Sequence, residues 1–258
     1  MFEENKEGYY LQERIFDVSE VRLLMDSVYA NNTIPARHSI ELIQKLQNLL
    51  SKPKRKLYNS LMICCNHAKT PNKETFHNID MLDKAITEQK KVSFIYTEYG
   101  HDKKLHQKGS RRHIISHYSM VIYDGSYYLI CGWDGVEEPR HYHISRIKDI
   151  QLMDEQSQPL PANFHLNEYI QNAVFMYSRK PVRIKMKCHK YILDQVIMRF
   201  GMDIQIVPND DETFTATLCA NPDGMYVWAL QFLDTCEILQ PLELRERICK
   251  VVRDSPYK

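Results

Sequence analysis

Residues 112–130 read RHIISHYSMVIYDGSYYLI. Two runs rich in β-branched and aromatic residues, 113–123 and 127–133, flank the pair Asp124-Gly125. An Asp-Gly pair between such runs is the strongest short-range hairpin signal, because the favoured hairpin turns need positive φ angles. We therefore predict an antiparallel hairpin at this point.

The hairpin belongs to a larger set of short strands. Further β patterns cover residues 92–96, 141–147 and 150–153, and a helical pattern covers 76–86. One helix with about five short antiparallel strands fits a small barrel. We predict that this barrel forms a domain spanning residues 71–156.

The C-terminal part alternates between strand and helix patterns. The predicted strands are residues 182–188, 203–207, 213–220 and 236–239, and the predicted helices are residues 166–175, 192–200, 225–233 and 242–252. From residue 182 the order is βαββαβ followed by a last helix, which is typical of a ferredoxin-like α+β module. We predict this module for residues 157–258, so the fold class is α+β.

Residues 1–70 precede the barrel and have a different pattern. A short aromatic stretch, Gly8–Leu11, is typical of the end of a strand or hairpin, and two amphipathic helices follow, from about Asp17 and from about Ser39. Residues 51–71 are rich in Lys, Asn and Pro, with an apolar island at 61–65 that predicts a short strand. We predict a helical linker that also serves in dimerisation.

Composition excludes several classes of protein. The 34 Lys and Arg residues against 33 Asp and Glu residues give a net charge of +1, far from that of a protein that coats duplex nucleic acid. No apolar stretch is long enough to span a membrane and no signal peptide is recognisable, so we expect a cytoplasmic protein. The sequence has 7 cysteines, which is an odd number, and most of them lie among apolar neighbours. We expect them to be reduced thiols.

Charge is nevertheless unevenly distributed. Residues 84–112 contain eight Lys or Arg, whereas residues 200–244 contain none and hold eight carboxylates. We expect the middle of the chain to attract an anion and this C-terminal stretch to repel one.

Catalytic and metal-binding motifs are not recognisable. The sequence contains no nucleophile elbow, phosphate-binding loop, dinucleotide fingerprint or zinc-protease helix, so we predict no enzyme and no cofactor. Cys64, Cys65 and His67 lie close together, and His141 and His143 would share one face of a strand. Neither group has the paired spacing of a zinc site, and a structural or anion-facing role is favoured over a metal.

Cationic and aromatic residues interleave in the barrel. A basic run, 101–113, is expected to form a loop and includes Arg111 and Arg112, and Arg140, His143 and Arg146 follow on a later predicted strand. Tyrosines accompany them, in the mixture with which small barrels bind single-stranded nucleic acid, although core packing explains about half of the rings. On a regular strand Arg146 would face away from His143 unless a bulge intervenes.

These residues resemble a WYL domain. The resemblance rests on residues 92–96, 112–121, 124–130 and 140–147, and the name-giving Trp-Tyr-Leu appears as Tyr127-Tyr128-Leu129. The chain from Val182 onward is similar to the C-terminal extension of that family, notably at 228–232 and 237–241.

The resemblance implies an SH3-like or Sm-like barrel that senses a nucleotide or single-stranded nucleic acid, usually within a homodimer. By motif position, the expected ligand contacts are Tyr118, Tyr128, Arg140, His143 and Arg146, with Arg111 and Arg112 nearby. Two positions depart from the family pattern, since His117 stands in place of a usual proline and His143 in place of a usual basic residue. The family's winged helix-turn-helix is not found before Gly8, so duplex DNA would be bound only through a missing N-terminal domain; a truncated chain and an orphan sensor both stay open.

The predicted function is the ligand-sensing and dimerisation region of a bacterial transcription regulator, which binds its ligand without turnover. One alternative is a protein–protein interaction or assembly module with no small ligand. A metal-dependent enzyme that uses Cys64, Cys65 and the histidines is the least favoured class.

Overall fold

The computed structural model describes residues 2–5, 8–11, 15–55, 69–134, 136–161, 164–177 and 179–256. The chain forms two compact units, one comprising residues 1–134 and 142–158 and the other residues 135–141 and 159–258. The domain boundaries expected from the sequence stay predictions. The predicted strand at 61–65 and the trio Cys64, Cys65 and His67 lie outside the described residues.

The first unit begins with a two-stranded antiparallel pair and two helices. Strands β1 (Phe2–Asn5) and β2 (Gly8–Leu11) pair with each other, and helices α1 (Val18–Ala30) and α2 (Ala36–Gln47) follow. The Glu20 carboxylate accepts a hydrogen bond from the backbone N–H of Asp17 at 2.7 Å, which fixes the start of α1. Both predicted helices are confirmed, and α2 begins three residues before Ser39 because Pro35 precedes its first turn.

The remainder of the first unit is a curled antiparallel sheet with one helix. Its elements are α3 (Thr75–Glu88), β3 (Lys90–Tyr99), β4 (Leu105–Gln107), β5 (His113–Tyr123), β6 (Ser126–Trp133), the end of β7 (Val136–His143) and β8 (Ile147–Gln156). Strand β3 pairs with β4, β5 and β8, so the sheet curls around it into a half-barrel. Leu82 of α3 and Val92, Phe94 and Leu129 of the sheet are completely buried in the core.

The predicted hairpin joins β5 to β6. Tyr123 pairs with Ser126 across the turn, and both turn residues have positive φ angles, 48° at Asp124 and 67° at Gly125. This geometry is that of a type I′ turn, for which Asp-Gly is the preferred pair. The prediction is therefore confirmed.

One secondary-structure prediction in the barrel is wrong, and another is incomplete. The predicted strand at 141–147 is instead the end of β7, a single 3₁₀ turn at Ile144–Arg146 and the start of β8. The basic run expected to form a loop contains β4, whose three residues pair with residues 97–99 of β3. A 3₁₀ turn of three residues leaves no hydrophobic periodicity in the sequence that could reveal it.

The second unit has the predicted ferredoxin-like topology. Its elements after β7 are α4 (Leu166–Asn172), a 3₁₀ turn (Val174–Met176), β9 (Val182–His189), α5 (Leu193–Phe200), β10 (Gln205–Pro208), β11 (Thr213–Ala220), α6 (Pro222–Leu230), β12 (Cys236–Gln240) and α7 (Leu242–Arg253). The four strands form an antiparallel sheet in the order β10-β11-β9-β12, and helix residues such as Val196 and Trp228 pack on one of its faces. The α+β fold class is confirmed.

None of the described helices has both the length and the apolar character needed to cross a membrane.

Candidate ligand-binding site in the barrel

The 3₁₀ turn at Ile144–Arg146 decides which side chains meet in the barrel. Strand geometry would have placed Arg146 on the face opposite His143. Since the turn replaces the strand after His143, the alternation is interrupted and Arg146 returns to the side of His143. The charge of Arg146 accordingly acts on both His143 and Tyr128.

Two buried asparagines hold this turn in place. The Asn78 side-chain amide donates to the carbonyl of Ile147 at 2.8 Å and that of Ile144 at 3.4 Å. The Asn72 amide donates to the same Ile147 carbonyl at 2.7 Å and to that of Ser145 at 3.0 Å. These bonds give the carbonyl groups of the turn side-chain donors from a neighbouring element, and so they fix the position of Arg146.

Tyr128 and His143 form the centre of the site. Their ring centroids lie 4.0 Å apart with an interplanar angle of 43°. The Tyr96 hydroxyl accepts a hydrogen bond from the backbone N–H of His143 at 3.2 Å. Burial raises the pKa of Tyr96, and the nearby Arg146 partly offsets this shift. The Arg146 guanidinium carbon lies 5.9 Å from the ring centroid of Tyr99, within cation–π distance.

The electrostatics leave Arg146 as the cation of this group. Burial, followed by the nearby charge of Arg146, lowers the pKa of His143 to about 4. Burial also raises the pKa of Tyr128 to about 12, so its hydroxyl keeps its proton. At neutral pH the site therefore presents one guanidinium, one neutral imidazole and phenol rings that offer both hydroxyl groups and stacking faces.

A second aromatic group lies beside the site and belongs to the core. The Tyr142 hydroxyl is 3.0 Å from Nδ1 of His113, and the His113 ring stacks on Phe94 with centroids 5.5 Å apart. Tyr142 is 7% exposed and Phe94 is completely buried. Tyr142 therefore supports Tyr96, whose ring it meets edge-on at 4.8 Å, and has little surface for a ligand.

Four predicted contact residues lie apart from this cluster in the contacts described. Arg112 donates to the Asp149 carboxylate and to the backbone carbonyl of Ser93, which makes it a structural ion pair. Tyr118 lies at a bulge in β5, and its ring covers Gly132. Arg111 is exposed after β4, and Arg140 lies in the portion of β7 that belongs to the second unit.

His141 also belongs to the second unit, where both of its ring nitrogens have partners. Nδ1 donates to the carbonyl of Met176 at 2.7 Å, and the Tyr169 hydroxyl lies 2.7 Å from Nε2. Burial lowers the pKa of His141. A neutral imidazole in such a bridge has a structural role, and no cluster of three or more metal-ligating side chains occurs among the described residues.

Several residues of the site were not predicted from the sequence. Tyr96 and Tyr99 lie on β3, Asn78 lies in the first turn of α3, and Asn72 precedes that helix by three residues. Tyr96 stood at the end of a predicted strand, so its aromatic character was a usable signal. The two asparagines gave no such signal, because the sequence does not distinguish a buried side-chain amide from an exposed one.

Two family models match the chain in this order. A WYL domain covers residues 77–152, and a WCX domain covers residues 180–254. The chain therefore contains a WYL domain followed by a WCX domain. The first match contains the whole cluster around Tyr128 and Arg146 except Asn72, and the second contains the four-stranded sheet. WYL and WCX domains together indicate a regulatory sensing region of transcription regulators.

The WYL protein is also similar to solved structures at low identity. One is proteasome accessory factor B/C (PafBC) of Arthrobacter aurescens, at 14% identity and a TM-score of 0.30, where the match covers 71% of this chain and 27% of that one. Another is described as a CRISPR Cas-related protein, at 12% identity and a TM-score of 0.46, with 94% and 74% covered. The chain thus spans about a quarter of the length of PafBC. The comparison with curated proteins gave no match.

Proposed function

We propose that this WYL protein is the ligand-sensing region of a cytoplasmic bacterial transcription regulator, and that its barrel binds a nucleotide or single-stranded nucleic acid without turnover. The observation that carries the proposal is the position of Arg146 beside the Tyr128–His143 ring pair. One cation next to stackable rings matches a ligand with a phosphate next to a base.

The roles of the side chains follow from their chemistry. Arg146 offers a planar guanidinium that pairs with a phosphate through two hydrogen bonds. The ring of Tyr128 or Tyr99 offers a face for a base, and base–aromatic stacking contributes about 1–3 kcal/mol per base. Neutral His143 offers a hydrogen-bonding nitrogen and a ring, where the family pattern has a basic residue.

We further propose that the regulator works as a homodimer through α1 and α2. Leu23 on α1 and Ile40 on α2 are large apolar side chains that are 68% and 58% exposed, and Leu49, just after α2, is 48% exposed. Large exposed apolar side chains on both helices of a packed pair favour an interaction surface. A second copy of the chain would bury these side chains, so that no other partner is required.

Binding of labelled single-stranded DNA and RNA, followed by fluorescence anisotropy, tests the ligand proposal. We expect the affinity of the Arg146→Gln variant to fall at least about tenfold and its dependence on salt to become shallower by about one phosphate contact. Lys148→Gln is the matched control, since Lys148 is only two residues away and is partly buried like Arg146.

The possible results separate the proposal from its alternative. Equal affinities of the Arg146→Gln and unaltered chains would contradict a phosphate contact at this residue. Absence of binding to nucleotides and to both nucleic acids by the unaltered chain would overturn the proposal and favour the assembly module.

A further inference from the structure

The sheet of the second unit has one covered face and one open face. Along its central strand β9, Ile184, Met186 and Cys188 are buried beneath the helices. The alternate residues Arg183, Lys185 and Lys187 are exposed on the other face. The central strand of this sheet therefore presents a line of cations to solvent.

A row of hydrogen-bonding side chains crosses this open face. Gln205 of β10 pairs with Thr217 of β11, Thr217 pairs with Lys185 of β9, and Lys185 pairs with Gln240 of β12. The four side chains lie side by side in register across all four strands. Three strand spacings give the row a length of about 14 Å.

The row forms the floor of a groove of about 490 Å³. Besides the four residues of the row, Arg183, Asn209 and Thr215 line it, and Val207 is the single apolar lining residue. None of these lining residues carries a carboxylate or an aromatic ring. The groove is thus polar and cationic, with no surface on which a base would stack.

The two cations of the groove differ from several other cations of this unit. Among the described residues, neither Arg183 nor Lys185 forms an ion pair, whereas Lys190 pairs with Glu212. Arg245 pairs with Glu237 at 2.6 Å, and Arg247 pairs with Asp223 at the same distance. Of the eight carboxylates that led us to expect repulsion of anions, Glu212, Asp223 and Glu237 form these ion pairs, and none of the eight lines the groove.

We propose that the open face of this sheet binds the sugar-phosphate backbone of a single-stranded nucleic acid. Arg183 and Lys185 would bind phosphate oxygens, and Thr217 and the two glutamines would bind the uncharged oxygens of backbone and sugar. The row is longer than one phosphate group, which favours several successive nucleotides over a free mononucleotide. Without stacking, the contact is independent of base sequence.

This inference does not rest on the function proposed for the barrel. The barrel site combines one cation with aromatic rings in one unit, whereas the sheet site combines two cations with neutral hydrogen-bonding groups in the other. Each site therefore has its own set of variants, and either proposal can fail alone.

The test measures binding of fluorescein-labelled oligothymidylate to the whole chain at low and moderate salt. We expect the Arg183→Gln/Lys185→Gln variant to lose at least about tenfold in affinity and to show a salt dependence shallower by about 1.4 in log–log slope, as two lost phosphate contacts require. The matched control is Lys190→Gln/Arg247→Gln, which removes two cations of the same unit that lie outside the groove and pair with Glu212 and Asp223. The control should keep the affinity within about twofold.

A second variant tests whether the loss of affinity is only a general effect of the reduced positive charge. Thr217→Val keeps the shape and removes only the hydroxyl in the middle of the row, and we expect about a threefold loss of affinity without a change in salt slope. Circular dichroism and thermal melting check that every variant is folded.

Three results would overturn the proposal. The first is an unchanged affinity of the Arg183→Gln/Lys185→Gln variant, and the second is an equal loss in its control. The third is equally effective competition by thymidine monophosphate or by polyglutamate, since the groove would then bind a single phosphate or an acidic chain. A loss in the Arg146→Gln variant alone would support the barrel site and contradict the sheet site.

Discussion

The rings of Tyr128 and His143 face each other with their centroids 4.0 Å apart. Because burial and Arg146 lower the pKa of His143 to about 4, this is a contact between two uncharged rings at neutral pH. Protonation of His143 would place a second positive charge next to Arg146. The pair therefore links the barrel's stability to pH.

We predict that the protein loses stability as the pH falls from about 6.5 towards about 4. In this window the unfolded state binds a proton at His143 and the folded state does not, so the free energy of unfolding decreases with falling pH. The His143→Gln variant should lose part of this dependence, about 2 kcal/mol between pH 7 and pH 5. Urea unfolding near pH 7 and near pH 5 measures the difference.

His77→Gln is the control for this experiment, because His77 is exposed on α3. His113, His117 and His141 also have pKa values lowered mainly by burial, so a residual dependence of the same sign should persist in the His143→Gln variant. An identical pH dependence in the His143→Gln and unaltered proteins would refute the role of His143.

Arg112 is predicted to support the fold and to contribute little to ligand binding. It joins β5 to β8 through the Asp149 carboxylate and also donates to the Ser93 carbonyl. Arg112→Gln should lower Tm by a few degrees, since it removes these bonds from a partly buried site. Its affinity for labelled oligonucleotide should fall less than that of Arg146→Gln. Reduced oligonucleotide affinity with an unchanged Tm would show that Arg112 contributes to ligand binding and not to stability.

We predict that position 132 must be glycine because the ring of Tyr118 lies against it. A Cβ atom at this position would lie 2.0 Å from the Tyr118 hydroxyl oxygen and 2.7 Å from Cζ. Gly132→Ala should therefore destabilise the protein by about 2 kcal/mol through overpacking. Denaturant unfolding of the single and double variants measures the coupling between the two positions.

The double variants distinguish this clash from a backbone effect. Tyr118→Ala removes the ring and should relieve most of the cost of Gly132→Ala, whereas Tyr118→Phe keeps Cζ close and should not. If Gly132→Ala costs the same in combination with Tyr118→Ala as with Tyr118→Phe, the clash is not the cause.

The parts of the fold that were predictable have local signals. Asp124-Gly125 specified its turn because few residue pairs tolerate two positive φ angles, and the βαββαβ order of the second unit followed from alternating hydrophobic periods. Tyr128, His143 and Arg146 were identified from motif position. The sequence suggested that strand parity would separate Arg146 from His143, and only the 3₁₀ turn shows how they meet.

The rest of the site depends on contacts between distant residues. Arg112 looked like a free cation until the structure paired it with Asp149, 37 residues away. Likewise, Arg183 and Lys185 precede a run of carboxylates in the sequence, yet the sheet register places them beside Thr217 and Gln240. Charge counted along the chain cannot anticipate such pairings, since they are set by the topology of the sheet.

The α1–α2 pair is predicted to mediate self-association. Leu23→Glu and Ile40→Glu each place a charge within the exposed apolar group, so the double variant should be monomeric at a concentration at which the unaltered chain is a dimer. Lys45→Glu is the control, because Lys45 is exposed on another side of α2. Light scattering coupled to size exclusion gives the mass, and a dimer that persists in the double variant would exclude this surface.

Asn78 is predicted to position Arg146 although it is too deeply buried to touch a ligand. Asn78 is completely buried, and Asn78→Ala would leave the Ile147 and Ile144 carbonyls without one of their donors. The loss should cost about 2 kcal/mol of stability, and it should also weaken oligonucleotide binding at temperatures well below Tm because the 3₁₀ turn is no longer held. Thr87→Ala, at the exposed end of α3, removes another side-chain-to-carbonyl hydrogen bond and is the control. A positioning role requires that the affinity loss of Asn78→Ala vanish when Arg146→Gln is already present. Additive losses in the double variant would show that Asn78 acts on stability alone.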